Sequence, residues 1–140
     1  MQYNFFDPTR VLFGAGQLNE LHNQNMPGKK AMVVISNGKS TRESGALDRT
    51  LDQLHQAGVE TALFDKVEAN PLKSTVEAGA ELARSAGCDF VVALGGGSVM
   101  DAAKIMAMYA PQSGELWDYV ASATGKMQPL EKDPLPVIAI

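Results

Sequence analysis

The stretch DFVVALGGGSVMDAAKIMAMY, Asp89–Tyr109, decides how this chain is read. Phe90–Leu94 is a short apolar run containing two β-branched valines, with a polar residue before it and glycine after it. That length and composition predict a strand buried on both faces, of the parallel type, rather than a piece of helix. Gly95, Gly96 and Gly97 follow at once, with Ser98 at an expected N-cap and Asp101 in the first turn of a helix. Glycines let a backbone approach a ligand with no Cβ between. The helix that begins there aims unpaired N–H groups, and a partial positive charge, at the same spot. The combination suits a phosphate or pyrophosphate. The plainer alternative is a glycine-rich connector, which would leave the entropic cost of three successive glycines without a purpose.

Working outward, the chain alternates strands and helices. Ala31–Ile35 (AMVVI) reads as a first buried strand, followed by the loop Ser36-Asn37-Gly38-Lys39-Ser40-Thr41. Leu47, Leu51 and Leu54 mark the buried stripe of a helix that Gly58 closes. Val59–Phe64 reads as a half-exposed strand, and Asn70-Pro71 as the turn into a helix through Val76, Ala80 and Ala83 that ends at Gly87. Beyond the central stretch, Ser113–Ala121 is a candidate short helix carrying Trp117. Gly125–Pro136 is a polar loop, and Leu135–Ile140 a last buried strand. Before the first strand, Tyr3–Phe6 and Arg10–Phe13 flank Asp7-Pro8 and predict a β-hairpin. Gly14-Ala15-Gly16 then opens a short helix with Leu18, Leu21 and His22. The expected fold is therefore α/β: a Rossmann-like parallel sheet with helices on both faces, right-handed crossovers, and an N-terminal hairpin. Residues 1–140 form one dinucleotide-binding domain in this reading.

Bulk properties narrow the function classes. With 140 residues and 45% hydrophobic content the chain can build one core. A net charge of −4 and a pI near 5.1 carry no footprint for nucleic acid or an anionic membrane, and the basic residues are scattered. No apolar run approaches bilayer length, and the N-terminus lacks the form of a signal peptide. The single cysteine, Cys88, reads as a small core residue in a reducing compartment, so a cytoplasmic location is expected. His22 and His55 each read as helix-surface histidines, and no H-x-x-x-H or Cys/His cluster exists. Metal-ligating and catalytic residues are accordingly expected to be absent from this stretch.

In an open α/β sheet, ligands sit outside the carboxyl ends of the strands. Three loops lie there in this reading: Asn37–Thr41, Glu68–Pro71 and Gly95–Ser98. The glycine turn lacks both G-x-G-x-x-G and G-x-x-x-x-G-K-[ST]. Its pattern is G-G-G-S-x-x-D-x-x-K, from Gly95 to Lys104. It resembles the cofactor loop of the iron-containing (group III) alcohol dehydrogenases. Pro8-Thr9-Arg10-Val11-Leu12-Phe13-Gly14-Ala15-Gly16 is similar to the opening of that family, and Asn70-Pro71 to its N-P pair.

The resemblance implies an enzyme that moves hydride between NAD(P)(H) and a small alcohol or aldehyde, with a divalent metal, iron or zinc, polarising the substrate oxygen. It implies cofactor roles for Asn70, Gly96, Gly97 and Ser98, and for Asp101 a place near the nicotinamide. Asn70 could equally cap a helix, and Asp101 could simply pair with Lys104 on a solvated face. The family's acid that selects NAD would follow the first strand. Here that loop has no Asp or Glu before Glu43, while Gly38 leaves room and Lys39 and Ser40 offer a charge and a hydroxyl. NADP is therefore expected over NAD, the alternative being a solvated Lys39 with Asn37 on the ribose of NAD. The family's metal ligands lie in a following helical domain, so this chain is expected to be the cofactor-binding part of a longer, homo-oligomeric enzyme and inactive alone. The terminal VIAI is expected to be an interrupted strand. The competing readings are a free-standing, non-catalytic nucleotide- or phosphate-binding module, and a flavodoxin-like domain. The second lacks an acidic pocket or enough aromatics for a flavin.

Overall fold

Apolar runs that never alternate become the middle of the sheet. The structure, a computed structural model, describes residues 1–122 and 124–140. Its strands are β1 (Lys30–Ser36), β2 (Glu60–Val67), β3 (Phe90–Ala93) and β4 (Val137–Ala139). They form one parallel sheet in the order β2-β1-β3-β4. Val33 sits between Leu63 and Val92, and Val92 in turn faces Ile138.

Residues 31–35 and all of β3 are buried because both sheet faces are covered. Met32, Val34, Val91 and Ala93 point to one face, under α3 (Lys73–Ser85) and α4 (Gly97–Tyr109). Ala31, Val33, Ile35, Phe90 and Val92 point to the other. There they meet Leu47 and Leu54 of α2 (Ala46–Gln56) and Leu21 of the 3₁₀ helix Gln17–Asn23. A single turn of helix, α1 (Ser40–Glu43), leads into α2.

Small side chains let α3 and α4 approach closely. A Cβ placed on Gly79 would fall 2.4 Å from the Met106 sulfur. Helices α2 and α3 end in the same way. Gly58, at φ 74°, donates to the His55 carbonyl at 2.9 Å, and Val59 to that of Leu54 at 2.9 Å. Gly87, at φ 68°, donates to Arg84, and Cys88 to Ala83 at 2.8 Å. These paired bonds satisfy carbonyls that the helix end leaves free, and they require the left-handed residue that the two glycines supply.

Several expectations are corrected. Residues 1–13 contain no hairpin ladder; the turn survives only as Thr9 N–H donating to the Asp7 carboxylate at 2.9 Å. Tyr3, Phe5, Phe6 and Phe13 are largely exposed, Phe13 at 94%. The two β-rich runs and the turn between them supplied nothing for a hairpin to lie against, and a lone two-stranded hairpin is marginal in water.

The last strand is short and lies at the sheet edge, bonded to β3 alone, so Val137 is 37% exposed rather than buried. Strand β2 runs on to Val67, past the expected end at Phe64, because Ser36 pairs with Val67 across a register shift that leaves one extra residue in β2. The segment around Trp117 is a 3₁₀ turn, Leu116–Tyr119, closed by a reciprocal Glu115–Asp118 capping box. Leu116, not Trp117, is its buried residue. Gln112 was not singled out in the sequence. It is 4% exposed, and its amide accepts from Glu131 and Lys132 N–H and donates to the Lys132 and Met108 carbonyls, pinning the loop before β4.

Candidate functional site

The strand order makes a crevice. From β1 the chain passes to β2 on one side, then returns by α3 to β3 on the other. The segments leaving β1 and β3 head for opposite faces of the sheet, and a gap opens between them at the carboxyl ends. A cleft of about 350 Å³ lies there, lined by residues 36–38, 40–41, 67–69 and 95–99. The three loops marked out by sequence therefore converge on one cavity.

Its most informative wall is the glycine turn. Gly95, at φ 152°, needs to be glycine for the fold itself, because a Cβ there would come within 3.0 Å of Val99. Gly96 and Gly97 differ. A Cβ on either meets nothing within 4 Å. Nothing inside the chain demands glycine at these two positions, so the space they keep open is available to a ligand. Gly96, not Ser98, is the N-cap of α4, in extended geometry and with no side-chain cap. The expected serine cap is thus corrected by two residues. A capping hydroxyl would have satisfied the first N–H groups of α4; here those of Gly97 and Ser98 have no acceptor among the described residues. They face an open cleft with the positive end of the helix behind them.

Of the other expected residues, Asn37, Gly38, Ser40, Gly96, Gly97 and Ser98 line the cleft together. Lys39 does not line it; it is exposed and serves as the N-cap residue of α1. Asn70 also lies off the cleft wall, exposed and left-handed at φ 55°. It is not a helix cap either, since α3 is capped at Leu72. Glu68 instead ties the turn before α3 to its first turn: its carboxylate accepts from Thr75 Oγ1 at 2.7 Å and Leu72 N–H at 3.1 Å. The Thr75 hydroxyl, then the backbone donors, hold the Glu68 carboxyl below its ordinary range. Asp101 is 78% exposed, with Lys104 Nζ 3.4 Å away, as a solvated pair would be.

Sequence reasoning missed one contact beside the cleft and gave no role to one residue of a loop it had placed there. Arg42 Nη2 donates to Asp65 Oδ2 at 2.6 Å, tying α1 to β2. Thr41, beside Ser40, lines the cleft. The Arg42–Asp65 contact is a product of chain reversal that no local pattern announces, whereas Thr41 belongs to the Asn37–Thr41 loop that topology had already placed at the strand ends.

The histidines are elsewhere. His22 is half-buried rather than free on a surface, with Nδ1 2.7 Å from Gln53 Oε1, and His55 is exposed on α2. His22 borders a separate depression of about 380 Å³ with Gly28 and Lys29, at the opposite, amino-terminal ends of the strands. Cys88 is buried as expected, and burial pushes its thiol up.

A profile of the family described as "Iron-containing alcohol dehydrogenase" matches residues 8–140. The chain belongs to that family. The chain is 37% identical over 134 residues to the probable NADH-dependent butanol dehydrogenase 1 of Bacillus subtilis, covering 96% of itself and 33% of that protein. It is 40% identical over 111 residues to the NADPH-dependent butanol dehydrogenase of Clostridium saccharobutylicum, covering 79% of itself and 28% of that protein. It superposes on the crystal structure of NADH-dependent butanol dehydrogenase A from Thermotoga maritima with a TM-score of 0.86. That match is at 29% identity, over 99% of this chain and 34% of the other. The chain thus spans about a third of the length of the curated relatives it matches.

The family's name implies iron. Among the described residues, no three His, Cys, Asp or Glu side chains gather into a group that could hold a metal ion. The residues present do not fit an iron site. They do fit a dinucleotide, because the open space at Gly96 and Gly97 adjoins N–H groups that lack acceptors.

Proposed function

We propose that this chain is the cofactor-binding part of a metal-dependent alcohol dehydrogenase or aldehyde reductase, which moves hydride between NAD(P)(H) and a small alcohol or aldehyde. The observation that carries the reading is the glycine turn: space for a ligand at Gly96 and Gly97, in front of acceptor-less N–H groups at the start of α4. In this reading the N–H groups of Gly97 and Ser98 hold the pyrophosphate. Asn37, Gly38 and Ser40 receive the adenosine ribose across the cleft. The nicotinamide, when bound, accepts or gives the hydride. Asn70 and Asp101 stand outside the cleft wall and carry less of the proposal than the resemblance gave them. A cytoplasmic location is part of the reading, supported by the single buried thiol, and a homo-oligomer is carried by the family resemblance alone. No helix among the described residues is long and apolar enough to cross a membrane.

For the cofactor, NADP(H) is proposed over NAD(H). The support is the loop after β1, which has no acid before Glu43 to meet a ribose 2′-hydroxyl and repel a 2′-phosphate. Lys39 is exposed next to the cleft-lining Gly38 and Ser40, and its long stem allows the charge to reach a phosphate there. Dissociation constants for NADPH and NADH, measured by calorimetry at two salt concentrations, test this. NADPH is expected to bind tighter, and to lose about three- to tenfold with added salt and again in Lys39→Ala. Equal or tighter binding of NADH would overturn the preference.

These 140 residues by themselves are expected to retain no stoichiometric iron or zinc and to turn over no alcohol. Elemental analysis of protein purified without chelator, with an NAD(P)H-coupled assay, checks both. One firmly held metal per chain would contradict the placement of the metal ligands elsewhere.

A further inference from the structure

Thr41 is a side chain whose hydrogen bonding the fold leaves unfinished. Its Oγ1 is shielded from solvent and has no hydrogen-bond partner among the described residues. Two other threonines show what this chain ordinarily does with such a hydroxyl. Thr50, buried in α2, donates to the Ala46 carbonyl one turn earlier at 2.8 Å. Thr75 donates to the Glu68 carboxylate at 2.7 Å. Thr41 has no equivalent of the first arrangement, because it is the second residue of α1 and the residue four before it, Asn37, precedes the helix. A buried hydroxyl without a partner lowers stability, and native chains rarely leave one that way.

Thr41 also lines the cleft, with Gly38 and Ser40 on the same segment. A helical threonine has two accessible χ1 settings. Rotation between them exchanges the hydroxyl with the methyl, so an incoming ligand can recruit Oγ1 while the backbone stays in place. The Arg42–Asp65 pair, one residue on, holds that backbone against β2. A hydroxyl both donates and accepts, so it can serve a ribose hydroxyl or a ribose phosphate.

We propose that the Thr41 hydroxyl is a ligand-binding group that hydrogen-bonds the adenosine-ribose end of the dinucleotide, and that its unpaired state in the free chain is what ligand binding relieves. This rests on the dinucleotide reading above and adds to it a residue and an energetic trade. The free protein is less stable than it could be, and the bound one recovers the difference.

Thr41→Val keeps the shape and removes only the oxygen. Its two effects have opposite signs. Without ligand, the thermal midpoint is expected to hold or to rise by about 2–5 °C, since an unpaired buried hydroxyl has been replaced by a methyl. With ligand, affinity for both NADPH and NADH is expected to fall by about five- to thirtyfold. Inorganic pyrophosphate, which has no ribose, should bind wild type and Thr41→Val equally. Thr41→Ser, which keeps the hydroxyl, should hold dinucleotide affinity within about threefold of wild type. A Thr41→Val protein that binds both dinucleotides as wild type does, or that melts below wild type without ligand, overturns the proposal alone. Equal weakening of pyrophosphate overturns the assignment to the ribose end. A wild-type chain that binds pyrophosphate and no dinucleotide overturns the dinucleotide reading itself, and this proposal with it.

Discussion

Gly97→Val is expected to abolish measurable dinucleotide binding while the domain stays folded. The two halves of that result have separate causes. The fold has no use for glycine at this position: its φ is not left-handed, and a Cβ there touches nothing within 4 Å. Glycine is also a poor helix former, so a side chain at the start of α4 brings little or no loss of stability. The ligand, however, needs that volume. A branched side chain would occupy the space in front of the Gly97 and Ser98 N–H groups, where a pyrophosphate must come within hydrogen-bond distance. A loss of at least about a hundredfold in affinity, or about 2.8 kcal/mol, is expected, with Gly97→Ala falling between. Calorimetry with each dinucleotide reads the binding, and circular dichroism with a melting curve reads the fold. A folded Gly97→Val protein with wild-type affinity would remove the anion site from the account.

Phe90→Ala should act in the opposite way, on the fold first. Phe90 is fully buried at the start of the central strand β3, in register with Ala31, among Leu21, Leu47 and Leu54. Removing a buried aromatic ring and leaving its cavity costs about 3–5 kcal/mol. Domains of this kind have only about 5–15 kcal/mol in total, so much of the stability is at stake. Urea unfolding is expected to show a large drop in midpoint with little change in slope. Trp117→Ala, at a 40% exposed position, serves as the comparison and should change stability far less. A drop below about 1 kcal/mol in Phe90→Ala would mean that the cluster beneath α2 is not the core that burial makes it.

What the sequence made legible follows from which signals are local. Residues 31–35 and 90–93 were readable because strands covered on both faces need apolar residues without a break. Gly58 and Gly87 were readable because a left-handed residue after a helix is a demand placed on one position. The three loops of the cleft followed from topology once the alternation of strands and helices was accepted. Tyr3–Phe13 misled because β-rich runs around a turn signal report local preference and are silent about what a hairpin would pack against. Ser98 misled because serine is the better N-cap in general, whereas Gly96 leaves the helix N–H groups free. Gln112 and the Arg42–Asp65 pair were invisible, since each acts through residues that only the fold brings near; Thr41 lay in a loop that topology had placed at the cleft, but nothing local marks its hydroxyl as unpaired. Asn70 and Asp101 were placed by resemblance and Lys39 by its charge beside Gly38, and the structure leaves all three on the exposed surface, outside the cleft wall.

The cradle proposed at Gly96–Ser98 is main chain alone, with no side-chain cap. Amide N–H groups neither titrate near neutrality nor offer an atom to oxidise or alkylate. A grip of that kind is kept by any sequence that holds bulk away from two positions, so mutation is free to rewrite the exposed side of α4 around Lys104 and Ile105. Descendants of such a chain can diverge widely in surface charge, solubility and assembly while the part that meets the ligand stays the same.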